Sequence, residues 1–172
     1  MTSEALARAE SLIATIPDFP SPGVLFRDIS PLLADAAALR TVVDAVIAPF
    51  AGGFDVVAGV EARGFMLAGA VAIAAGVGMA PIRKAGKLPR PAASVSYALE
   101  YGTAQIEMSD DLPRGTRVLL VDDILATGGT LRAGQQLLAE LGLELAGTAV
   151  LMELASLGGQ EVAGPVHAVF RV

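Results

Sequence analysis

The chain is predicted to fold as an α/β domain: a mainly parallel sheet flanked by helices. Three observations carry this. Short apolar strand-type runs recur along the chain, at 55–60, 79–82, 117–121, 145–151 and 166–172. Segments of helical spacing alternate with them, at 39–50, 64–75 and 130–141. The 172 residues are 53% hydrophobic and 17% charged, which suits one packed domain and argues against disorder.

Taken in order, Ser3 to Ile13 reads as a short helix with Leu6, Leu12 and Ile13 as its few large apolar residues. Pro17, Pro20 and Pro22 then interrupt regular structure, so 15–34 reads as a long ordered loop. Its apolar content (Phe19, Val24, Leu25, Phe26, Ile29) points to function rather than disorder. Asp35 is a helix N-cap, followed by Leu39, Val42, Val43, Val46, Ile47 and Phe50 at helical spacing. Asp55–Val60 is a buried strand, Gly64–Ala75 a buried helix and Met79–Ile82 a second strand. Ser94–Glu107 alternates around Gly102 and reads as a hairpin or flap. A turn at Pro113–Gly115 leads to the strand Arg117–Val121, a helix at Thr130–Leu141 ended by Gly142, and the last two strands.

Composition excludes several functions. Without Cys there is no disulfide, zinc-thiolate site or cysteine nucleophile, and the lone His167 rules out any site needing two histidines. A net charge of −6 disfavours broad nucleic-acid binding. Residues 1–14 carry Glu4, Arg8 and Glu10 and lack the pattern of a signal peptide. Gly64–Ile82 is uncharged and near membrane-span length, but Gly76, Gly78 and Pro81 break it. A helix, a turn and a strand fit better. No membrane role is expected, and the location expected is cytoplasmic.

Val118–Thr130 carries the most chemistry. An apolar strand ends in Asp122 and Asp123, a short Gly/Thr loop follows, and then a helix begins. Ligands of α/β sheets bind beyond the carboxyl ends of strands, and helix N-termini attract anions. Gly128 and Gly129 permit a tight turn of inward backbone donors, with Thr127 and Thr130 adding hydroxyls. This describes a phosphate cup. Two carboxylates beside it suit the hydroxyls of a ribose one step away, although the acid pair alone reads equally well as an acidic strand end. Neither a Walker A loop nor a Gly-x-Gly-x-x-Gly is present. Arg83, Lys84, Lys87 and Arg90 gather four of the twelve cations into eight residues. Alone they read as a solvated loop, and beside a phosphate cup as a clamp.

Val121–Thr130 resembles the phosphoribosyl pyrophosphate (PRPP) motif of type I phosphoribosyltransferases. Ile16–Pro31, Glu61–Phe65, Arg83–Pro89 and Tyr97–Gly102 narrow the resemblance, in order along the chain, to the adenine phosphoribosyltransferase family. It implies a single domain over 1–172, with 1–34 as an N-terminal base-binding hood and 84–110 as a flap. It implies transfer of the phosphoribosyl group of PRPP to adenine, giving AMP and pyrophosphate in purine salvage. The 5-phosphate would rest on Ala126, Thr127, Gly128, Gly129 and Thr130, with Asp122 and Asp123 on the ribose or its metal. Glu61, Ala62, Arg63, Arg83, Lys84 and Lys87 would meet pyrophosphate, in a turn where the family often carries a strained peptide at the equivalent of Ala62–Arg63. Phe26, which by itself suits core packing, would stack on adenine while Leu25 and Arg27 read its edge through backbone groups. Glu100 would transfer the proton and Tyr101 would close the flap, with Arg63 also in the catalytic set. Mg²⁺ is implied, carried mostly by substrate phosphates and water. No direct protein ligand is expected, although Asp122 or Asp123 could serve. Part of the pyrophosphate contact can come from a neighbouring subunit, so a homodimer is implied.

Two rival readings remain at this level. One is an enzyme for another base (hypoxanthine, xanthine or orotate), since the PRPP motif does not separate bases. The other is a regulator that binds PRPP or nucleotide without turnover.

Overall fold

A computed structural model describes residues 2–98 and 102–172, and the chain divides into two compact units, one up to Ala45 and one from Val46 to Val172. The first unit opens with α1 (Ser3–Ser11), capped by the Thr2 hydroxyl, which accepts the Ala5 N–H. Residues 15–34, predicted as one loop, hold regular structure. β1 (Ala14–Pro17) pairs antiparallel with β2 (Leu25–Asp28), placing Ile16 opposite Phe26, and α2 (Ser30–Ala34) follows. The prolines do not prevent this because of where they fall. Pro17 is the last residue of β1, and Pro31 sits in the first turn of α2, where a missing N–H is harmless. The Phe19 ring meets the Phe26 ring edge-on, with centroids 5.1 Å apart. Asp35 caps α3 (Ala36–Ile47), as predicted, by accepting the Ala38 N–H at 2.8 Å, and also pairs with Arg8.

The second unit is a seven-stranded sheet with helical crossovers. Its elements are β3 (Val56–Val60), α4 (Arg63–Ala75), β4 (Gly78–Lys84), β5 (Ala93–Ala98), β6 (Thr103–Met108), β7 (Arg117–Leu125), α5 (Gly129–Glu140), β8 (Glu144–Glu153), α6 (Gly159–Ala163) and β9 (His167–Arg171). The spatial order is β5-β6-β4-β3-β7-β8-β9. Strands β4, β3, β7, β8 and β9 run parallel, and β6 and β5 are added antiparallel at one edge. The parallel strands are apolar because helices cover both faces: Val57, Ala58, Leu119, Leu120, Val121 and Leu151 are fully buried.

The chain leaves β3 in one direction to form β4 and returns on the other side as β7. That reversal makes the carboxyl ends of β3 and β7 the switch point at which α/β sheets bind ligands. The predicted hairpin at 94–107 is present as β5 and β6, paired from Ala93↔Met108 to Ala98↔Thr103. The chain from Gly159 onward supplies α6 as well as the last strand, β9.

Candidate active site

Strand β7 runs four residues beyond the predicted Val121, so Asp122 and Asp123 lie within it and are buried, at 8% and 7% exposure. The Asp123 N–H donates to Asp122 Oδ1 at 2.8 Å, and Asp123 Oδ2 pairs with the Arg63 guanidinium at 2.8 Å. Burial and the neighbouring Asp123 charge push the Asp122 carboxyl well above its ordinary value, against the opposing pull of the Asp123 N–H and Arg63. Gly64, in the first turn of α4, closes on this strand. A Cβ there would lie 2.8 Å from Asp122 Oδ1 and 3.0 Å from the Val121 carbonyl.

After β7 the chain turns through Ala126–Thr130. Gly128 takes φ +85°, a conformation costly for other residues, and α5 starts at Gly129. The first N–H groups of α5 have no acceptor within the helix and lie at its positive end. This loop lines a cleft of 110 Å³. The tail backs it: a Cβ on Gly128 would collide with the Gly159 carbonyl, and one on Gly159 with the Ala126 carbonyl.

A second cleft of 320 Å³ shares Asp122 and Thr130 with the first, and Glu61, Ala62, Arg63, Lys84, Tyr97 and Asp123 complete its lining. The turn out of β3 contains a cis peptide at Glu61–Ala62, one bond before the position the resemblance implied. The buried Glu61 carboxylate gathers the cationic segment. It accepts from Arg83 Nε at 3.2 Å, from the Lys84 N–H at 3.1 Å and from the Lys87 ammonium. Burial alone would raise its pKa, but the Lys87, Lys84 and Arg83 hydrogen bonds prevail and hold it down at about 2. Among the described residues, the Lys84 ammonium has no ion-pair partner.

One edge of the sheet thus brings together Glu61, Ala62, Arg63, Arg83, Lys84, Lys87, Asp122, Asp123 and Ala126–Thr130. Leu25, Phe26 and Arg27 lie on β2 in the first unit. Glu100 and Tyr101 lie outside the described residues. Sequence reasoning missed three residues at this edge: Tyr97, which lines the larger cleft; Gly159, behind the cup; and Glu107, whose buried carboxylate accepts the Lys87 and Leu88 N–H groups. Each looked ordinary locally, as one residue of an alternating strand or a turn.

The phosphoribosyl transferase domain family matches residues 33–167. A relative from Renibacterium salmoninarum, named adenine phosphoribosyltransferase, is 59% identical over 153 residues, which is 88% of this chain and 84% of the relative. The chain belongs to the adenine phosphoribosyltransferase family. The crystal structure of the Rhodothermus marinus adenine phosphoribosyltransferase superposes with a TM-score of 0.93 at 42% identity, covering 99% of this chain and 100% of that one. The adenine phosphoribosyltransferase of Saccharomyces cerevisiae was crystallised with an imino-altritol bisphosphate and adenine. It gives a TM-score of 0.92 at 33% identity, over 98% and 99% of the two chains. The predicted mainly parallel sheet with flanking helices is therefore that of adenine phosphoribosyltransferases.

Proposed function

We propose that the protein transfers the phosphoribosyl group of PRPP to adenine, forming AMP and pyrophosphate in purine salvage. The carrying observation is the pair of neighbouring clefts, a Gly/Thr turn at a helix start and a carboxylate-and-cation cleft, which share Asp122 and Thr130 as lining residues. Family membership supplies the base.

In this reading Ala126–Thr130 hold the 5-phosphate, and Asp122 and Asp123 accept from the ribose hydroxyls. Arg63, Arg83, Lys84 and Lys87 stabilise pyrophosphate as the bond from its oxygen to ribose C1 breaks and the bond from adenine N9 forms. Glu61 contributes by holding the cations. Glu100 takes the ring proton, and Tyr101 closes the flap against water. Phe26 stacks on adenine, while Leu25 and Arg27, on β2, read its edge through backbone groups. A base with the opposite donor pattern would leave those groups unpaired, which is costly.

The donor set suits Mg²⁺. Asp122 and Asp123 offer hard oxygens, and among the described residues no cluster of three or more His, Cys, Asp or Glu could cage a metal by itself. One or both carboxylates would hold the ion together with substrate oxygens and water. When bound, it supplies positive charge to the leaving pyrophosphate. A homodimer and a cytoplasmic location belong to the same reading. Among the described residues, no helix is long and apolar enough to cross a membrane.

The test is pyrophosphate release from PRPP with Mg²⁺, run separately with adenine, hypoxanthine, guanine, xanthine and orotate. Release with adenine alone and AMP as product is expected. Release with another base overturns the roles of Leu25, Phe26 and Arg27. Release with none favours a binder without turnover.

A further inference from the structure

We propose that Glu107 is a positioning residue for the pyrophosphate-binding segment Arg83–Lys87. This rests on the reading of the larger cleft as a pyrophosphate site. Glu107 stands on β6 directly opposite Arg83 on β4, and its side chain is buried at 5% exposure. It does not line the larger cleft, so it acts through other residues. One carboxylate oxygen accepts the N–H of Lys87 at 3.1 Å and that of Leu88 at 2.9 Å. At the other end of the same turn, the Ala85 N–H donates to the Gln105 carbonyl at 2.9 Å. The turn 85–88 is therefore suspended from β6 at both ends, and Gly86 at φ +81° lets it reverse between them.

Two consequences follow for the cations. Fixing the Lys87 backbone sets its ammonium beside Glu61. The fixed Lys87 carbonyl in turn accepts from Arg83 Nη1 at 3.3 Å, tying that guanidinium to the same turn. A buried carboxylate is costly unless hydrogen-bonded, and the Lys87 and Leu88 N–H groups satisfy it here. The Leu88 N–H foremost, with those of Gly86 and Lys87 and the Arg83 charge, outweighs burial and keeps the carboxyl below its ordinary range. The energy spent on burying Glu107 is thus returned as a fixed clamp.

The experiment compares wild type, Glu107→Ala and Glu107→Gln in the complete chain. Glu107→Ala is expected to raise KM for PRPP and the inhibition constant of pyrophosphate about tenfold or more, the scale of a lost charge-assisted hydrogen bond. KM for adenine should stay at the wild-type value, and kcat should change less than KM for PRPP. Amide hydrogen exchange in 85–88 should accelerate. Glu107→Gln keeps the acceptor oxygen and should recover most of the PRPP affinity and of the exchange protection. Should Glu107→Ala not fold, Glu107→Asp, whose shorter side chain withdraws the acceptor, is judged by the same readouts. Unchanged KM for PRPP, an equal rise in KM for adenine, or unchanged exchange overturns the role of Glu107. A wild-type protein that releases no pyrophosphate with any base overturns instead the reading on which it rests.

Discussion

Replacing Gly64 by Ala tests whether the pyrophosphate turn and the ribose carboxylates form one unit. The new Cβ would stand 2.8 Å from Asp122 Oδ1, 3.0 Å from the Val121 carbonyl and 3.2 Å from Asp122 Cα. Ordinary contact begins at 3.4 Å, so the carboxylate must give by about 0.6 Å. The two backbone atoms belong to a central strand and cannot swing away. Overpacking of this kind costs about 1–3 kcal/mol, and helix propensity returns about 1 kcal/mol of it. The net loss of stability is thus about 0–2 kcal/mol, small enough for the variant to fold. Function should suffer more, because a displacement approaching 1 Å can cost about 100-fold. We expect kcat/KM for PRPP to fall by about tenfold to 100-fold. Gly69→Ala is the control in the same helix. Its Cβ meets nothing within 4 Å, so it should gain about 1 kcal/mol and raise Tm by about 2–4 °C. Equal kcat/KM for PRPP in the two variants would refute the reasoning.

Three further outcomes are expected. Asp122 is buried with its carboxyl raised above 3.8, so its ionisation costs stability as pH climbs past that value. Asp122→Asn should therefore gain in Tm over wild type from pH 4 toward 7 while losing PRPP affinity. Glu61 is held at about 2 against an ordinary 4.5, so its contribution is complete above pH 4.5 and lost as pH falls through about 2. In urea titrations at stepped pH, the deficit of Glu61→Gln should shrink over that interval. Gly159→Ala would press on the Ala126 carbonyl, so calorimetry should show ribose 5-phosphate binding weakened about tenfold, the scale of a misplaced donor, with adenine binding unaltered.

The junctions that bind phosphate were legible because their signals are local. A strand of Val and Leu, a Gly-Gly turn and a helix start lie within 13 residues at 118–130, and periodicity alone orders them. The sheet's parallel order followed from alternation. Residues 15–34 were misread because proline was weighed without its position: Pro17 is the last residue of β1, and Pro20 and Pro22 fall between β1 and β2, where they interrupt neither strand. The extension of β7 was hidden because acids normally mark a strand's end, whereas here Asp122 pairs with Val150 and Leu125 with Glu153 in full register. Glu107 was invisible for a different reason. Its partners Lys87 and Leu88 are 20 and 19 residues away, and nothing in an alternating strand announces which polar residue is covered by a distant turn.

The pairing of Glu61 with Arg83 and Lys87 also bears on how a ligand arrives. Arg63 is paired with Asp123, and Arg83 and Lys87 with Glu61, so most of the cationic charge at the cleft edge is already neutralised by carboxylates inside a chain of net charge −6. Such a mouth projects little long-range field, and diffusional encounter with a polyanion gains little electrostatic steering. Capture becomes an ion exchange at contact range, in which incoming phosphate oxygens replace an internal carboxylate. The on-rate for a phosphorylated ligand should then vary only shallowly with ionic strength, leaving discrimination to shape and hydrogen bonding once the ligand is seated.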